Sequence, residues 1–279
     1  MHKKTAVITI LLLTALLLSA CNVDPLQYAH TPDTDNFSTN PSETETYTPT
    51  SNPTDTFATE ETILESIVPT EPIHSPLYIE GLDVEDVILY FNEVCLDAEF
   101  VHSGNATLLQ KWTEPIFYKI YGSPTEKDLL VLNTFTEWLN TIDGFPGIYE
   151  TQKIDNANLS IHFCTQDELL SLMGDHLTNA DGAVNFWYRD NAIFDATICY
   201  RNDLDQVVRN SVILEEIYNG LGPIQDTQLR TDSIIYSEYS EPQQLTNVDE
   251  LILKLLYQPQ LKCGMDATQC ETVIRTLYY

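Results

Sequence analysis

Basic residues are scarce in this chain, and one long stretch has none. The 279 residues include 13 lysines and arginines against 42 aspartates and glutamates, for a formal net charge of −29. No lysine or arginine occurs from Thr5 to Gln110. Such a charge repels the phosphates of nucleic acids and the surfaces of anionic lipids. The composition therefore argues against a nucleic-acid partner.

The apolar run near the N-terminus is too short to cross a bilayer comfortably. It extends from Ala6 to Leu18, whereas a spanning helix needs about 20 residues. It follows His2-Lys3-Lys4 and precedes small residues, which is typical of a secretory signal over residues 1–20. A short membrane helix, or an ordinary signal followed by a chance cysteine, are the alternatives.

The end of this signal, Leu18-Ser19-Ala20-Cys21, resembles the lipobox of bacterial lipoproteins. The resemblance implies that Cys21 carries the acyl chains and becomes the new N-terminus. Several acyl chains on one residue would hold the protein on a membrane. We therefore expect a location at the cell membrane, on its extracytoplasmic face.

Residues 21–76 are rich in threonine, proline, serine, asparagine and acids. Low hydrophobicity and uncompensated charge cannot offset the entropy of ordering, so this segment is predicted to be a disordered acidic linker. Residues 77–279 remain, which are enough for one domain with a sizeable core.

Cysteine spacing gives no CxxC redox site and no zinc knuckle. Cys263 and Cys270, on either side of Gly264, are the candidates for a disulfide in an oxidising compartment. Three further cysteines form an odd set: either one pair forms and one thiol is buried, or all three are core residues. These are Cys95, Cys164 and Cys199.

Apolar periodicity and turn residues predict an α/β domain with one mixed sheet and helices packed on it. The predicted helices are 84–100 after an Asp83 N-cap, 125–144, 167–173, 205–220 and a last one at 247–257. The predicted strands are 116–121, 159–163, 183–188 and 193–200, the last two forming a hairpin at Asp190-Asn191.

The segment from Leu214 to Asp226 resembles the active-site helix of metzincin metallopeptidases, H-E-x-x-H-x-x-G-x-x-H followed by Asp. Glu216, Gly222 and Asp226 match the glutamate, the glycine and the final aspartate. Downstream, Ser233-Ile234-Ile235-Tyr236 is similar to the Met-turn, and 245–257 is similar to the C-terminal helix with its Leu-Thr-x-x-Asp start. The resemblance implies a zincin-like fold in which the strand 183–188 is the edge strand that pairs with substrate.

The departures from that motif are as informative as the matches. Glu215, Asn219 and Gln225 stand at the three zinc-ligand positions, and Ile235 replaces the methionine of the turn. Amide side chains are poor zinc ligands, and no histidine follows His176. The pattern thus indicates a domain without metal or cofactor, similar to an uncharacterised family of secreted bacterial domains.

Two interpretations of these side chains stay open. Glu215, Asn219 and Gln225 could converge and hydrogen-bond to one another in place of the metal. Alternatively, the segment is an ordinary amphipathic helix in which Glu215 is solvated and Gly220 and Gly222 form the C-cap.

Three functions follow from this sequence. The first is a non-catalytic module that captures an extended peptide or an envelope protein by strand addition. The second is a hydrolase of altered mechanism that uses Glu216 with Glu215 or Asp226, although adjacent helical residues point about 100° apart. The third is a structural spacer lipoprotein.

Overall fold

The computed structural model describes residues 75–96, 107–238 and 240–279. The predicted signal peptide, the Cys21 anchor and nearly all of the predicted linker lie outside these residues. Six α-helices, six strands and two short 3₁₀ helices, Ile154–Asn156 and Asp175–Leu177, occur in the described part of the chain. The helices are α1 (Val84–Leu96), α2 (Glu126–Leu139), α3 (Gln166–Met173), α4 (Gln206–Gly220), α5 (Asn247–Leu256) and α6 (Ala267–Tyr278). The strands are β1 (Lys111–Trp112), β2 (Ile116–Gly122), β3 (Ile148–Glu150), β4 (Leu159–Cys164), β5 (Gly182–Arg189) and β6 (Ala192–Arg201).

The strands form one mixed sheet. β3, β2, β4 and β6 lie side by side in that order and run parallel, while β5 returns antiparallel along the other edge of β6. β1 pairs in parallel with the first two residues of β6. Among the described residues β5 is therefore the terminal strand at one edge of the sheet, and β3 is the terminal strand at the other. The predicted α/β class, a mixed sheet with packed helices, is confirmed.

Local sequence explains where the elements begin and turn. Four helices, α2, α3, α5 and α6, start with a capping box in which a threonine or aspartate and the residue three positions later bind each other's backbone N–H groups. The β5–β6 hairpin turns at Asp190 and Asn191, whose φ angles are +52° and +63°. Two successive positive φ angles are those of a type I′ turn, which matches the twist of paired strands.

The two faces of the sheet pack against different elements. Alternate residues of β2, β4 and β6 join one large apolar cluster with α1, α2, α4, α5 and α6. On the opposite face, Cys164, Ala183 and Cys199 form a second cluster with Leu169 and Met173 of α3. No helix in the described ranges is long and apolar enough to cross a membrane.

One predicted helix boundary was wrong, and one helix was not predicted. The second helix ends at Leu139, not near Gly144, because the Asn140 side chain leaves the helix and exchanges two hydrogen bonds with the backbone of Ile148. The helix predicted to be the last is followed by α6, whose apolar face buries Cys270, Ile274 and Tyr278. The predicted end of the first helix, near residue 100, lies outside the described residues.

Candidate functional site

Helix α4 carries the residues singled out by the sequence, and it is buried along most of its length. It packs against α2, β5 and β6, and every residue from 211 to 220 is buried. Its first turn is tied to α2 by an ion pair between Arg209 and Asp128, both buried. The helix is therefore an internal element, and Glu215 is buried and not solvated as one of the sequence interpretations had it.

The two adjacent glutamates of α4 are both buried, with Glu215 6% exposed and Glu216 2% exposed. The Glu216 side chain occupies space beside Gly182, the first residue of β5. A Cβ on Gly182 would lie 2.8 Å from both Cγ and Oε1 of Glu216. Burial raises the pKa of the Tyr200 hydroxyl well above its usual value, and the nearby Glu216 carboxylate adds to this shift. Glu216 thus faces the start of the edge strand.

Asn219, one turn after Glu215, is fully buried. Its side-chain nitrogen donates a hydrogen bond to Oδ1 of Asp226, at 3.3 Å. Its side-chain oxygen is buried and has no hydrogen-bond partner among the protein atoms. Between the two residues, the backbone N–H groups of Ile224 and Gln225 both donate to Val94 O of α1, at 2.7 and 3.2 Å. Gln225 and Asp226 are half-buried.

The C-terminal end of α4 is closed by side chains from distant parts of the chain. The indole nitrogen of Trp112 donates to Gly220 O at 2.9 Å, and the Tyr257 hydroxyl donates to Leu221 O at 2.7 Å. Gly222 then turns the chain with a φ of +131°. A Cβ there would lie 2.6 Å from Gln110 O. Both the backbone angle and the close approach require glycine.

The turn at Ser233-Ile234-Ile235-Tyr236 is held by one carboxylate, that of Asp249 in the first turn of α5. Ser233 Oγ and Tyr90 Oη donate to Asp249 Oδ1 at 2.7 and 3.0 Å. The backbone N–H groups of Ile234 and Thr246 donate to Oδ2 at 3.2 and 2.9 Å. Asp249 is fully buried. It is both the capping-box residue of α5 and the anchor of the turn.

A second carboxylate anchors the start of the same loop. Glu93 of α1 accepts hydrogen bonds from the Thr227 hydroxyl and, at 3.0 Å, from the backbone N–H of Gln228. Thr227 in turn pairs with the turn, because its N–H donates to Ile235 O at 2.8 Å. The loop that follows α4 is thus fixed at two points by buried or half-buried side chains of α1 and α5.

The Tyr90 hydroxyl lies inside this network, 2.8 Å from Ser233 Oγ. Burial, and then the negative charge of Asp249, raise its pKa far above the usual range. The phenol therefore stays protonated and acts as a hydrogen-bond donor. Tyr90 and Glu93 did not stand out in the sequence, since nothing in a helical repeat marks which polar residues meet a loop some 135 residues away.

These elements are shared with a known family. A model of a family described as a protein of unknown function, DUF2927, matches residues 85–276. The chain belongs to the DUF2927 family. No curated protein matches the chain. The DUF2927 match extends from α1 to α6, so it includes α4, the anchored loop and the α5 carboxylate that holds it.

Of the three side chains that the metzincin resemblance places at ligand positions, Glu215 and Asn219 are buried and Gln225 is half-buried. In this DUF2927 domain the Asn219 amide presents an N–H to Asp226, and an amide N–H is a donor with no lone pair for a metal. No group of three His, Cys, Asp or Glu side chains in the described ranges is arranged to hold a metal ion. The hydrogen bond joins Asn219 to Asp226, the aspartate of the motif.

The predicted disulfide between Cys263 and Cys270 is not formed in this DUF2927 domain, since the five described cysteines are free thiols. Cys270 is fully buried in α6, within the core that also holds Cys95 of α1. Cys263 is half-buried, and its thiol donates to Lys111 O at 3.7 Å. The turn at Gly264 and the start of α6 direct the two thiols to different neighbours.

Proposed function

We propose that this chain is a lipid-anchored protein of the bacterial cell envelope whose folded domain is a metal-free, zincin-like module that binds an extended peptide or an envelope protein without cleaving it. The observation that carries the proposal is the hydrogen bond between Asn219 and Asp226, two buried or half-buried residues of the metzincin-like segment. At this position a polar staple fulfils the structural role that a metal has in the peptidases.

The order of elements supports the zincin-like part of the proposal. An antiparallel terminal strand, β5, precedes a parallel strand, β6, which leads into the helix with Glu216, a glycine turn and the anchored loop. This is the order that the metzincin resemblance implies. Asp249 gives the Leu-Thr-x-x-Asp segment a physical purpose, because its carboxylate ties the Met-turn-like loop to α5.

The position of β5 supports peptide binding. It ends the strand order and packs beside α4, close to Glu216. A terminal strand is where an extended peptide can join a sheet through main-chain hydrogen bonds, with side-chain pockets supplying specificity.

Binding without cleavage is tested with a random peptide library incubated with the full chain. We expect intact peptides to be retained, with slower hydrogen exchange in β5 than in the free protein and no stoichiometric zinc by elemental analysis. Hydrolysis that requires zinc, or hydrolysis that is abolished by Glu216→Gln, would overturn the non-catalytic assignment. Retention with protection confined to another element would overturn the role of β5.

The lipid anchor is tested by labelling with a palmitate analogue in a bacterial host. We expect the full chain to be labelled and to sediment with membranes. Cys21→Ser is expected to lose both properties, while Cys263→Ser, a change at a half-buried thiol of the folded domain, keeps them. Labelling that persists in Cys21→Ser would refute the anchor.

A further inference from the structure

A depression, here called the α3 depression, lies between β4 and helix α3 on the sheet face that is turned away from the large core. Its volume is about 310 Å³, at the lower end of the range for small-ligand sites. Its walls include Gly122 at the end of β2, His162 of β4, and three exposed residues of α3, Glu168, Ser171 and Leu172. None of its lining residues belongs to β5 or α4. The α3 depression is therefore separate from the edge strand and from the candidate site.

One wall of the α3 depression is the ring of His162. Tyr121, the residue aligned with His162 on the neighbouring strand β2, stacks on the imidazole with 4.6 Å between the ring centroids and an angle of 10° between the rings. β2 lies on one side of β4, whereas α3 packs toward the other side, on β5 and β6. Tyr121 thus covers one face of the imidazole, and the other face is turned toward the depression. Burial lowers the pKa of His162 below its usual value, so the ring is neutral at neutral pH.

The opposite wall is the exposed side of α3. Glu168 Oε2 accepts hydrogen bonds from the backbone N–H and the hydroxyl of Thr165, at 2.8 and 3.0 Å, in the capping box that starts the helix. These bonds fix the carboxylate and hold the pKa of Glu168 below its usual value, so the group is an ionised acceptor. One turn later, Ser171 adds a hydroxyl and Leu172, which is 48% exposed, adds an apolar surface. The two walls together present a ring face, a leucine and oriented hydrogen-bonding groups.

The chemistry of these walls selects among classes of ligand. No lysine or arginine is among the described residues that line the depression. The Glu168 carboxylate and the net charge of −29 repel anions, which argues against phosphates and carboxylates. Organic cations are typically held in a cage of several aromatic rings. Here the ring face of His162 is turned toward the depression, whereas the Phe163 ring packs in the large core.

A neutral sugar matches what remains. Its C–H groups carry the small positive charge that the negative face of an aromatic ring attracts, and they also pack against an aliphatic side chain. Its hydroxyls can donate to a carboxylate and can both donate to and accept from a serine hydroxyl.

We propose that the α3 depression binds a neutral sugar unit of an oligosaccharide. One face of the pyranose ring packs against the His162 imidazole and the Leu172 side chain, and a sugar hydroxyl donates a hydrogen bond to the Glu168 carboxylate. Because the site shares no residue with β5, a sugar here and a peptide at the edge strand occupy different parts of the domain.

The test is isothermal titration calorimetry of the full chain with three neutral trisaccharides, maltotriose, cellotriose and N-acetylchitotriose. We expect at least one of them to bind with a Kd of about 1 mM or tighter. With that sugar bound, hydrogen exchange in the unmodified chain should slow within residues 162–172. Tetramethylammonium, the probe for an organic cation, is expected not to bind. The proposal is overturned if none of the three sugars binds at about 10 mM, if tetramethylammonium binds in their place, or if the protection lies in β5 and not in α3.

Variants at exposed positions of α3 test the two walls without changing the core. Leu172→Ser removes the apolar contact. Glu168→Gln removes the charge but keeps an oxygen that can accept from Thr165, so the capping box is retained. We expect each change to weaken binding of the sugar about 10-fold. Asp167→Asn, an exposed carboxylate-to-amide change on the same helix outside the walls of the depression, is the matched control and should leave the affinity unchanged. Equal affinities in the control and in the two variants would also overturn the proposal.

Discussion

Replacing Asp249 by asparagine is expected to destabilise the domain strongly, although the two side chains have nearly the same shape. The aspartate carboxylate accepts hydrogen bonds from Tyr90 and Ser233 on one oxygen and from Ile234 and Thr246 on the other. Asparagine can keep one oxygen acceptor, but its NH₂ group then faces N–H donors on the other side.

The size of the effect follows from the donors left without a partner. A buried donor deprived of its acceptor costs about 1–3 kcal/mol. Two backbone donors, those of Ile234 and Thr246, lose their acceptor in the variant, and Ile234 is buried. We therefore expect Asp249→Asn to lower the free energy of unfolding by about 3–5 kcal/mol.

The measurement is equilibrium unfolding of the full chain in urea, with Glu250→Gln as the matched carboxylate-to-amide control on the same helix. Glu250 is partly exposed and pairs only with Lys254 one turn away, at 2.8 Å, so we expect a loss below about 0.5 kcal/mol. Hydrogen exchange at the Ile234 amide should also accelerate in Asp249→Asn. The reasoning is refuted if Asp249→Asn costs no more than about 1 kcal/mol beyond the control.

Three further changes test other parts of the structure by the same unfolding assay. Arg209→Met leaves Asp128 buried without its ion-pair partner and should cost about 3–5 kcal/mol. A second change, Asp128→Leu, should not restore this loss, because Asp128 also accepts the Thr125 N–H as the capping-box residue of α2; a small single effect contradicts this prediction. Burial lowers the pKa of Lys111 to about 8 from 10.5. Between pH 8 and pH 10.5 the Lys111 side chain is protonated mainly in the unfolded state. The free energy of unfolding of the unmodified chain, relative to that of Lys111→Met, should therefore rise by about 3 kcal/mol over this range. A difference between the two proteins that does not change with pH would be inconsistent with a buried ammonium. In Gly222→Ala the new residue would have a positive φ and its Cβ would collide with the Gln110 carbonyl, so the variant should lose about 2–4 kcal/mol of stability. The control, Gly81→Ala, has a φ of +79° but open space around the Cβ and should lose about 1 kcal/mol. Equal losses in the two variants would count against the close contact at Gly222.

Much of the fold could be predicted from local patterns. The helices after Asp83, Thr125 and Thr165 could be predicted because an N-cap residue and a helical repeat of apolar residues lie close together in the sequence. The hairpin at Asp190-Asn191 follows from residues that tolerate positive φ angles. β1 and β3 could not be predicted, because two or three residues are too few to show the alternation of apolar and polar residues. They are strands only because they pair with neighbouring strands of the sheet.

α6 was missed although its signal is present in the sequence. Asp266 and Gln269 have capping-box spacing, and Cys270, Ile274 and Leu277 recur at helical intervals. Cys263 and Cys270 were considered only as candidates for a disulfide, and no helix was predicted after residue 257, whereas Cys270 lies within α6.

The candidate site shows where sequence reasoning ends. Glu216, Asn219 and Asp226 could be singled out by their spacing, and the Asn219–Asp226 hydrogen bond connects two of them. The contacts from Tyr90, Glu93 and Asp249 join segments that are far apart in the chain. Spacing within one segment holds no information about such pairs.

The closure of α4 by Trp112 and Tyr257 has a consequence for how the helix is completed. The two residues lie on either side of the helix in the chain, one about 108 residues before Gly220 and the other 36 residues after Leu221. The last carbonyls of α4 cannot receive both hydrogen bonds until segments on both sides of the helix in the chain have packed against it. Contacts between residues far apart in the sequence are associated with slower folding. The end of the helix that carries the candidate site is therefore completed by tertiary packing and not by local structure.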